Sequence, residues 1–160
     1  KDWTEIPQNT LYYSSCDRII NIMKRQKRKV DFKDRRGTIM DIFVREPYEH
    51  CVIVYSNKGS VRGNHFHKKS LQSDFMLFGR MQAYGRKQGS KKIEKFVVKQ
   101  NDVTYWEKGE AHEFIALEKC AFLSFVNGPR GGDNYENDTF RLKIPLHEQA
   151  RKNITDWTVQ

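Results

Sequence analysis

Long apolar segments and paired cysteines are both missing from this sequence. No apolar run approaches the roughly 20 residues that a membrane-spanning helix requires, and no signal-peptide pattern opens the chain. Three cysteines are present, Cys16, Cys51 and Cys120, an odd number without the spacing of a metal site. Such a content is typical of reduced thiols rather than of disulfides. We therefore expect a cytoplasmic protein that does not cross a membrane.

Acidic residues are few relative to basic ones. The chain has 20 Asp and Glu against 29 Lys and Arg, and its formal net charge is +9. Such an excess favours anionic partners, including nucleic acid, acidic surfaces and phosphorylated small molecules. Eight of the basic residues lie in KRQKRKVDFKDRR (24–36), which is typical of a solvated helix end and loop and would also suit a phosphate or RNA patch. No RNA-binding signature accompanies it, so we do not expect nucleic acid as the partner.

Helical periodicity is confined to the first part of the chain. Ile19, Ile20 and Met23 recur at helical spacing within residues 16–29 and predict a short amphipathic helix. From Thr38 onward, nine short strand-like runs follow one another, separated by turn-forming sequences such as NKGS and EKGEA. This pattern predicts an all-β fold, an antiparallel sandwich or barrel.

The length of 160 residues is that of a single domain with a core of its own. We divide the chain into an N-terminal helical extension over residues 1–30 and a β domain over residues 31–146. A polar tail over residues 147–160 is predicted to lie on the surface as a helix or coil.

Histidines are also few, and three of the five fall in two spaced motifs. The spacing G-x5-H-x-H-x4-Q-x6-G over residues 59–79 contains His65, His67 and Gln72. It resembles the first motif of the cupin superfamily, with Gln72 where most members have Glu. The spacing N-x5-E-x-G-x2-H over residues 101–112 ends at His112 and resembles the second cupin motif more loosely. The resemblance spans roughly residues 34–127 and implies a jelly-roll β-sandwich or barrel.

In a jelly roll, the strands that carry these motifs would bring three imidazoles and one carboxamide to one point. His65 and His67 would enter the cavity from one strand, Gln72 from its neighbour across a turn, and His112 from a third strand. Imidazoles suit a divalent metal ion, whereas a carboxamide is a much weaker donor than a carboxylate. The same histidines can also act as general acid and base without metal. The amide favours the metal-free chemistry, so no cofactor is expected; a divalent metal on these four residues is the alternative.

Four segments resemble a narrower group of cupins. RGNHFHKK (62–69) followed by Gln72 is similar to the sugar 3,4-ketoisomerases, as is AHEF (111–114). DRRGTIMDI (34–42) resembles the opening of nucleotide-sugar cupins, and ENDTF (136–140) resembles the cupin domain of bifunctional capsular-sugar epimerases. The resemblance implies an isomerase or epimerase that acts on a nucleoside-diphosphate 4-keto-6-deoxyhexose, in making deoxysugars for polysaccharides or glycosylated natural products. It also implies a homodimer.

The resemblance further implies how the sugar reacts. The C4 ketone acidifies the hydrogen at C3, and His65 or His67 removes it. Protonation of the enediolate at C4 gives the 3-keto isomer, and protonation on the other face of C3 gives an epimer. The catalytic tyrosine of the ketoisomerases falls on Ile53, so Tyr55, two residues further on, is the candidate for its role.

Arg36 and Arg62 match arginines of these families. We expect them to hold the diphosphate, because a guanidinium binds phosphate in a bidentate manner. The other expected substrate-binding residues are Asn64, Gln72, Tyr84 and His112.

Two other functions remain open at this point. One is a metal-dependent cupin such as a dioxygenase, with His65, His67, Gln72 and His112 as ligands. The other is a non-catalytic cupin that binds a sugar or a partner, with residues 24–36 contacting nucleic acid. Metal analysis of the purified protein distinguishes the first from the isomerase, and salt-sensitive binding of random oligonucleotides would favour the second.

Overall fold

A computed structural model describes residues 24–129 and 134–160 of the chain. Two five-stranded antiparallel sheets account for most of it. The strands are β1 (Lys24–Lys27), β2 (Phe32–Asp34), β3 (Gly37–Ile39), β4 (His50–Ser56), β5 (Val61–Phe66), β6 (Leu71–Phe78), β7 (Arg80–Lys87), β8 (Glu94–Lys99), β9 (Asp102–Trp106), β10 (Glu110–Ala116), β11 (Cys120–Asn127) and β12 (Phe140–Arg141). The helices are α1 (Asn134–Asn137) and α2 (Leu146–Lys152).

The strand order distinguishes the two sheets. The first sheet has the order β1-β9-β6-β11-β4 and the second has the order β12-β5-β10-β7-β8, while β2 and β3 form a separate hairpin. Every pairing is antiparallel. Consecutive strands often lie in different sheets, as β5 and β6 do, which is typical of a jelly roll and not of a meander. The predicted all-β antiparallel sandwich is confirmed.

The main core lies between the two sheets. Met76, Trp106 and Phe122 of the first sheet pack with Met81 and Phe114 of the second, and all five side chains are buried. Alternation along each strand places these residues on the inner faces. Apolar side chains fill one part of this interior, and polar side chains of the same inner faces gather in the other part.

A bulge in β5 brings the first two histidines to the interior. Gly63 and Asn64 have φ angles of +80° and +60°, and the pairing of β5 with β10 shifts register between His112 and Glu113. A Cβ atom on Gly63 would lie 2.7 Å from the backbone oxygen of His112, so this close approach requires glycine. Such a bulge redirects the side chains that follow it.

The C-terminal segment packs against the outer face of the second sheet. Phe66, Ala111, Leu142 and Leu146 form a second buried cluster beneath it. Glu113 of β10 is fully buried and accepts hydrogen bonds from the backbone N–H groups of Leu146 and His147, at the start of α2, and from the His147 Nδ1. The predicted tail is therefore helical at its start, and it is anchored to the sheet by one buried carboxylate.

Two local predictions differ from the structure. Residues 24–27, at the end of the predicted helix, form β1, because pairing with β9 at the sheet edge outweighs local helical preference. This strand also extends the first sheet into the predicted extension. The strand-like run 38–44 is a strand only as far as Ile39. Beyond it, the rings of Phe43 and Tyr48 contact Phe125 of the first sheet, edge-on and tilted respectively.

Residues 16–23 of the predicted N-terminal helix lie outside the described residues. Neither α1 nor α2, the two helices of the described part, is long and apolar enough to cross a membrane.

Candidate active site

The three motif histidines form one buried cluster. His65 and His112 face each other across neighbouring strands of the second sheet, and His67 follows β5 directly. Their ring centroids are 4.7 Å (His65 to His112), 4.8 Å (His65 to His67) and 5.7 Å (His67 to His112) apart. One ring nitrogen from each lies within 4.8 Å of the others, and each residue is at most 7% exposed. The structure thus brings together the three histidines that the spacing singled out.

The orientation of His67 follows from a contact across 71 residues of sequence. The backbone oxygen of Asp138 lies 2.7 Å from the His67 Nδ1. A carbonyl oxygen only accepts hydrogen bonds, so Nδ1 carries the proton and the lone pair of the neutral ring is on Nε2. Nε2 is therefore the atom with which His67 can take a proton or bind a metal ion.

The side chain of Asp138 holds the turn that follows His67. Its carboxylate accepts hydrogen bonds from the backbone N–H groups of Lys68, Lys69 and Ser70 and from the Ser70 hydroxyl. Burial alone would raise the pKa of Asp138, but these hydrogen bonds outweigh burial and hold that pKa below its usual value. The sequence reasoning did not single out Asp138, although ENDTF contains it.

The electrostatics of the cluster keep His112 neutral. Burial, together with the neighbouring His65 and His67, holds the pKa of His112 well below its usual value. If one of its neighbours gains a proton during a reaction, His112 therefore adds no second positive charge beside it.

A cavity of about 280 Å³ opens onto this cluster. It lies between the two sheets, and its volume is near the lower end of the roughly 300–1,000 Å³ typical of small-molecule sites. Both sheets contribute polar and apolar side chains to its lining. The lining residues beyond His65 and His112 are Val54, Arg62, Gly63, Gln72, Phe114, Phe122, Ser124 and Tyr135.

Gln72 reaches the cavity from an unexpected direction. We predicted that it enters from the strand next to the histidines, yet β6 belongs to the opposite sheet, so Gln72 faces the imidazoles across the cavity. Its Nε2 donates to both carboxylate oxygens of Asp74, at 3.0 and 3.1 Å. The Trp106 Nε1 also donates to Asp74, at 2.8 Å. Asp74 is a further buried carboxylate that the motifs did not indicate.

Arg62 lies at the rim of the cavity with part of its guanidinium anchored. Its Nε donates to the Ser56 hydroxyl at 3.2 Å, and its Nη2 donates to the backbone oxygen of Tyr55 at 2.9 Å. A guanidinium has five N–H groups, so three remain after these contacts. They can bind an anion that enters the cavity.

Tyr135 is a cavity residue that the sequence reasoning missed. It lies on α1, and its ring centroid is 6.4 Å from those of both His65 and His67. It precedes the ENDTF segment directly, which was the available signal. Among the described residues, Tyr135 is the tyrosine that lines the cavity next to the histidines.

Two predicted tyrosines do not reach the cavity. Tyr55 is 61% exposed on the outer face of β4, because alternation turns its neighbour Val54 inward. Tyr84 lies on the outer face of the second sheet, where its ring packs near His147. Neither side chain lines the cavity, so the structure does not bring these two tyrosines to the histidine cluster as the sequence predicted.

Arg36 and Asn64 are likewise outside the cavity. Arg36 lies on the β2–β3 hairpin, where its guanidinium pairs with Asp34. Asn64 has a structural contact instead: its Nδ2 donates to the backbone oxygen of Leu142, and its Oδ1 accepts from the backbone N–H of Leu146. In this chain Asn64 therefore ties the C-terminal segment to the bulge in β5.

No protein-family model and no curated protein matches the chain. Solved structures do match it. The dTDP-4-dehydrorhamnose 3,5-epimerase from Sulfolobus tokodaii is 22% identical with a TM-score of 0.65, over 79% of this chain and 80% of that one. A 3,4-ketoisomerase from Helicobacter canadensis is 17% identical with a TM-score of 0.63, over 82% and 96% of the two chains. The fold is that of a cupin.

A third similar structure contains a ligand. It is a mutant of the 3,4-ketoisomerase QdtA from Thermoanaerobacterium thermosaccharolyticum, in complex with TDP-4-keto-6-deoxyglucose. It is 18% identical with a TM-score of 0.61, over 76% of this chain and 88% of that one. The predicted jelly-roll fold is thus confirmed, and the histidine cluster lies between its two sheets.

Proposed function

We propose that this protein is an isomerase or epimerase that acts on a nucleoside-diphosphate 4-keto-6-deoxyhexose. The observation that carries the proposal is the cavity, which is lined by two histidines of the buried cluster (His65 and His112), a tyrosine and a rim arginine. These groups match what the reaction requires: a base, a proton donor and a partner for phosphate. The resemblance of the motifs to nucleotide-sugar enzymes, and the ligand of the similar ketoisomerase, support the choice of substrate.

In this proposal His65 is the base. It lines the cavity, unlike His67, and its neighbour His112 stays neutral when His65 gains a proton. His65 removes the C3 hydrogen, and the electron pair moves through the C3–C4 bond onto the ketone oxygen. Return of a proton to C4, with proton transfer between the two oxygens, gives a 3-keto sugar. Return of a proton to the opposite face of C3 gives an epimer.

Tyr135 is the proposed partner of His65 in this proton transfer. Its hydroxyl can donate a proton to the developing enediolate or protonate the carbon that His65 does not reach. His67, whose Nδ1 is hydrogen-bonded to the backbone oxygen of Asp138, is the third histidine of the cluster. Tyr135 thus takes the role that we first assigned to Tyr55.

We also propose that the protein is a cytoplasmic homodimer. Several large apolar side chains are exposed near one another in sequence, including Phe32 and Ile39, which pair across the β2–β3 hairpin. An isolated two-stranded hairpin is marginally stable, so this one needs a surface to pack on. The same hairpin carries Arg36 away from the cavity of its own chain, so in a dimer Arg36 would serve a partner copy.

A metal-dependent reaction is the second candidate, and the histidine cluster is the observation that favours it. His65, His67 and His112 offer three nitrogen donors close enough to hold a divalent ion, which would polarise the substrate oxygens. The fourth donor is weaker than usual, because the amide of Gln72 replaces the carboxylate that most cupins have at this position. We therefore keep the metal-independent reaction as the proposal.

The proposed function predicts hydrogen exchange at the sugar. On incubation with TDP-4-keto-6-deoxyglucose in D₂O, NMR should detect deuterium at C3 or C4, because the abstracted proton exchanges with solvent before it returns. A His65→Asn protein in the same buffer is the control for spontaneous exchange. Absence of deuterium at both carbons with the unmodified protein would contradict the proposal.

The proposed function implies that Arg62 contributes to the affinity for the diphosphate. Arg62→Ala should weaken the affinity for TDP by about 1.5–3 kcal/mol, the contribution of hydrogen bonds to a charged group. Calorimetry measures this directly. Lys27→Ala, on exposed β1, is the matched control for loss of one positive charge and should leave the affinity unchanged. Equal affinities of the Arg62→Ala and unmodified proteins would show that Arg62 has no role in binding.

A further inference from the structure

Asp74 of the first sheet is a buried carboxylate that has no role in the proposed reaction. Asp74 is 3% exposed on β6, two residues after Gln72 and on the same inner face. Its neighbours across the sheet are Thr104 of β9 and Ser124 of β11, also buried and polar. A buried carboxylate is costly unless hydrogen bonds hold it. The groups that Asp74 holds therefore indicate its role.

Asp74 determines which end of the Gln72 amide faces the cavity. A carboxylate accepts hydrogen bonds and does not donate them, so the amide nitrogen must face it, as the two contacts to Nε2 record. The amide oxygen is then the polar atom that Gln72 presents to the cavity it lines. We propose that Asp74 is a positioning residue, which makes Gln72 an obligate hydrogen-bond acceptor for a hydroxyl group of the sugar.

The contact between Gln72 and Asp74 explains why position 72 is glutamine, where most cupins have glutamate. A glutamate at position 72 would put a second carboxylate about 3 Å from Asp74, and two carboxylates that close do not both ionise. With Asp74 in place, an amide at position 72 is the residue that pairs. Asp74 also accepts a hydrogen bond from Trp106, whose ring lies 5.0 Å from that of His112, so one carboxylate holds both the Gln72 amide and an indole next to the histidine cluster.

The test rests on the proposed function and compares two ligands, TDP and TDP-glucose. The ratio of their affinities isolates the contribution of the sugar. In Asp74→Asn the Gln72 amide can pair in either orientation, and we expect the sugar contribution to fall about tenfold, the value of one hydrogen bond. The affinity for TDP should not change. We expect the same loss of the sugar contribution in Asp74→Ser, which also lacks the carboxylate.

Two further variants make the test specific to amide orientation. Thr104→Val is the matched control: it removes a hydroxyl beside Asp74 and leaves the Gln72 amide facing the carboxylate, so the sugar contribution should persist. The double variant Gln72→Glu with Asp74→Asn reverses the pair and again presents an acceptor at position 72, so it should recover the sugar contribution. Thermal unfolding establishes that each variant is folded.

The outcomes are distinct. Loss of the sugar contribution in Asp74→Asn, with recovery in the double variant, supports the inference. An unchanged sugar contribution in Asp74→Asn and Asp74→Ser, or a folded double variant without recovery, would overturn it. If the unmodified protein bound neither TDP nor TDP-glucose, the proposed function itself would be contradicted, and the inference with it.

Discussion

Replacement of His65 by asparagine should lower turnover of TDP-4-keto-6-deoxyglucose by about 10²–10⁴-fold, the usual contribution of a general acid or base. The affinity for TDP should stay within about threefold, because Arg62 and not His65 is expected to hold the diphosphate. Asparagine is close to histidine in size and keeps a polar group in the cluster. NMR of the product and calorimetry with TDP measure the two quantities separately.

His50→Asn is the matched control for this variant. His50 begins β4 and does not line the cavity, so its replacement should leave turnover unchanged. Equal turnover of the His65→Asn and unmodified proteins would refute the role of His65 as the base. A stoichiometric metal ion in the purified protein, lost in both His65→Asn and His112→Asn, would overturn the metal-independent chemistry and leave the fold unaffected.

Asp138→Asn is expected to reduce the free energy of unfolding by about 3 kcal/mol at pH 7, near the upper end for hydrogen bonds to a charged group. Lys68 and Lys69 donate to one carboxylate oxygen, and Ser70 donates its backbone N–H and its hydroxyl to the other. In either orientation the amide nitrogen of the substituted side chain would face at least one backbone N–H. That donor would stay buried without a partner. Urea unfolding measures the difference.

The effect of Asp138 depends on pH in a defined direction. Its pKa in the folded protein lies below the unfolded value of about 3.9. The stabilisation is therefore fully present above about pH 4 and is lost as the pH falls through the folded pKa. The difference between the two proteins should shrink in that acidic range. A difference that is constant down to pH 2 would show that the charge of Asp138 contributes nothing.

Glu136→Gln is the control on the same segment. Glu136 forms an ion pair with Arg141, and hydrogen bonds from this arginine lower the pKa of Glu136 as well. Both partners are exposed to solvent, which weakens such pairs. We expect little change in stability, so a large loss in Glu136→Gln would mean that the whole segment, and not the buried Asp138 carboxylate, is sensitive to substitution.

Local patterns in the sequence were enough to predict the fold class and the histidine cluster. Turn-forming residues between short apolar runs depend on neighbouring residues alone, and they marked most of the strands from β4 onward. The spacing of His65 and His67 is also local, because it puts two imidazoles on one side of a short segment. His112 could be added because its motif resembles that of known cupins. These features needed no knowledge of which strands pair.

The predicted site residues that lie away from the cavity, or on an unexpected side of it, are those whose position depends on strand pairing. Tyr55 shares a face with Ile53, as expected, but alternation does not specify which face of a strand is inside; a shift of one residue exchanges the two faces. Gln72 reaches the cavity from the opposite sheet because β5 and β6, although consecutive in sequence, belong to different layers. Tyr84 faces the C-terminal segment, whose position against the second sheet is a long-range contact.

Asp138 and Asp74 show what only the tertiary structure decided. Asp138 meets His67 across 71 residues, and Asp74 meets Trp106 across 32, so no local pattern links the partners. Their carboxylates are stable in the interior because folding brings hydrogen-bond donors to them from distant strands and turns. The sequence by itself thus determined which side chains can carry the chemistry, whereas the pairing of β5, β6 and β10 with their neighbours decided which of them meet. The physical reason is that alternation along a strand is a local property, and contact between strands is not.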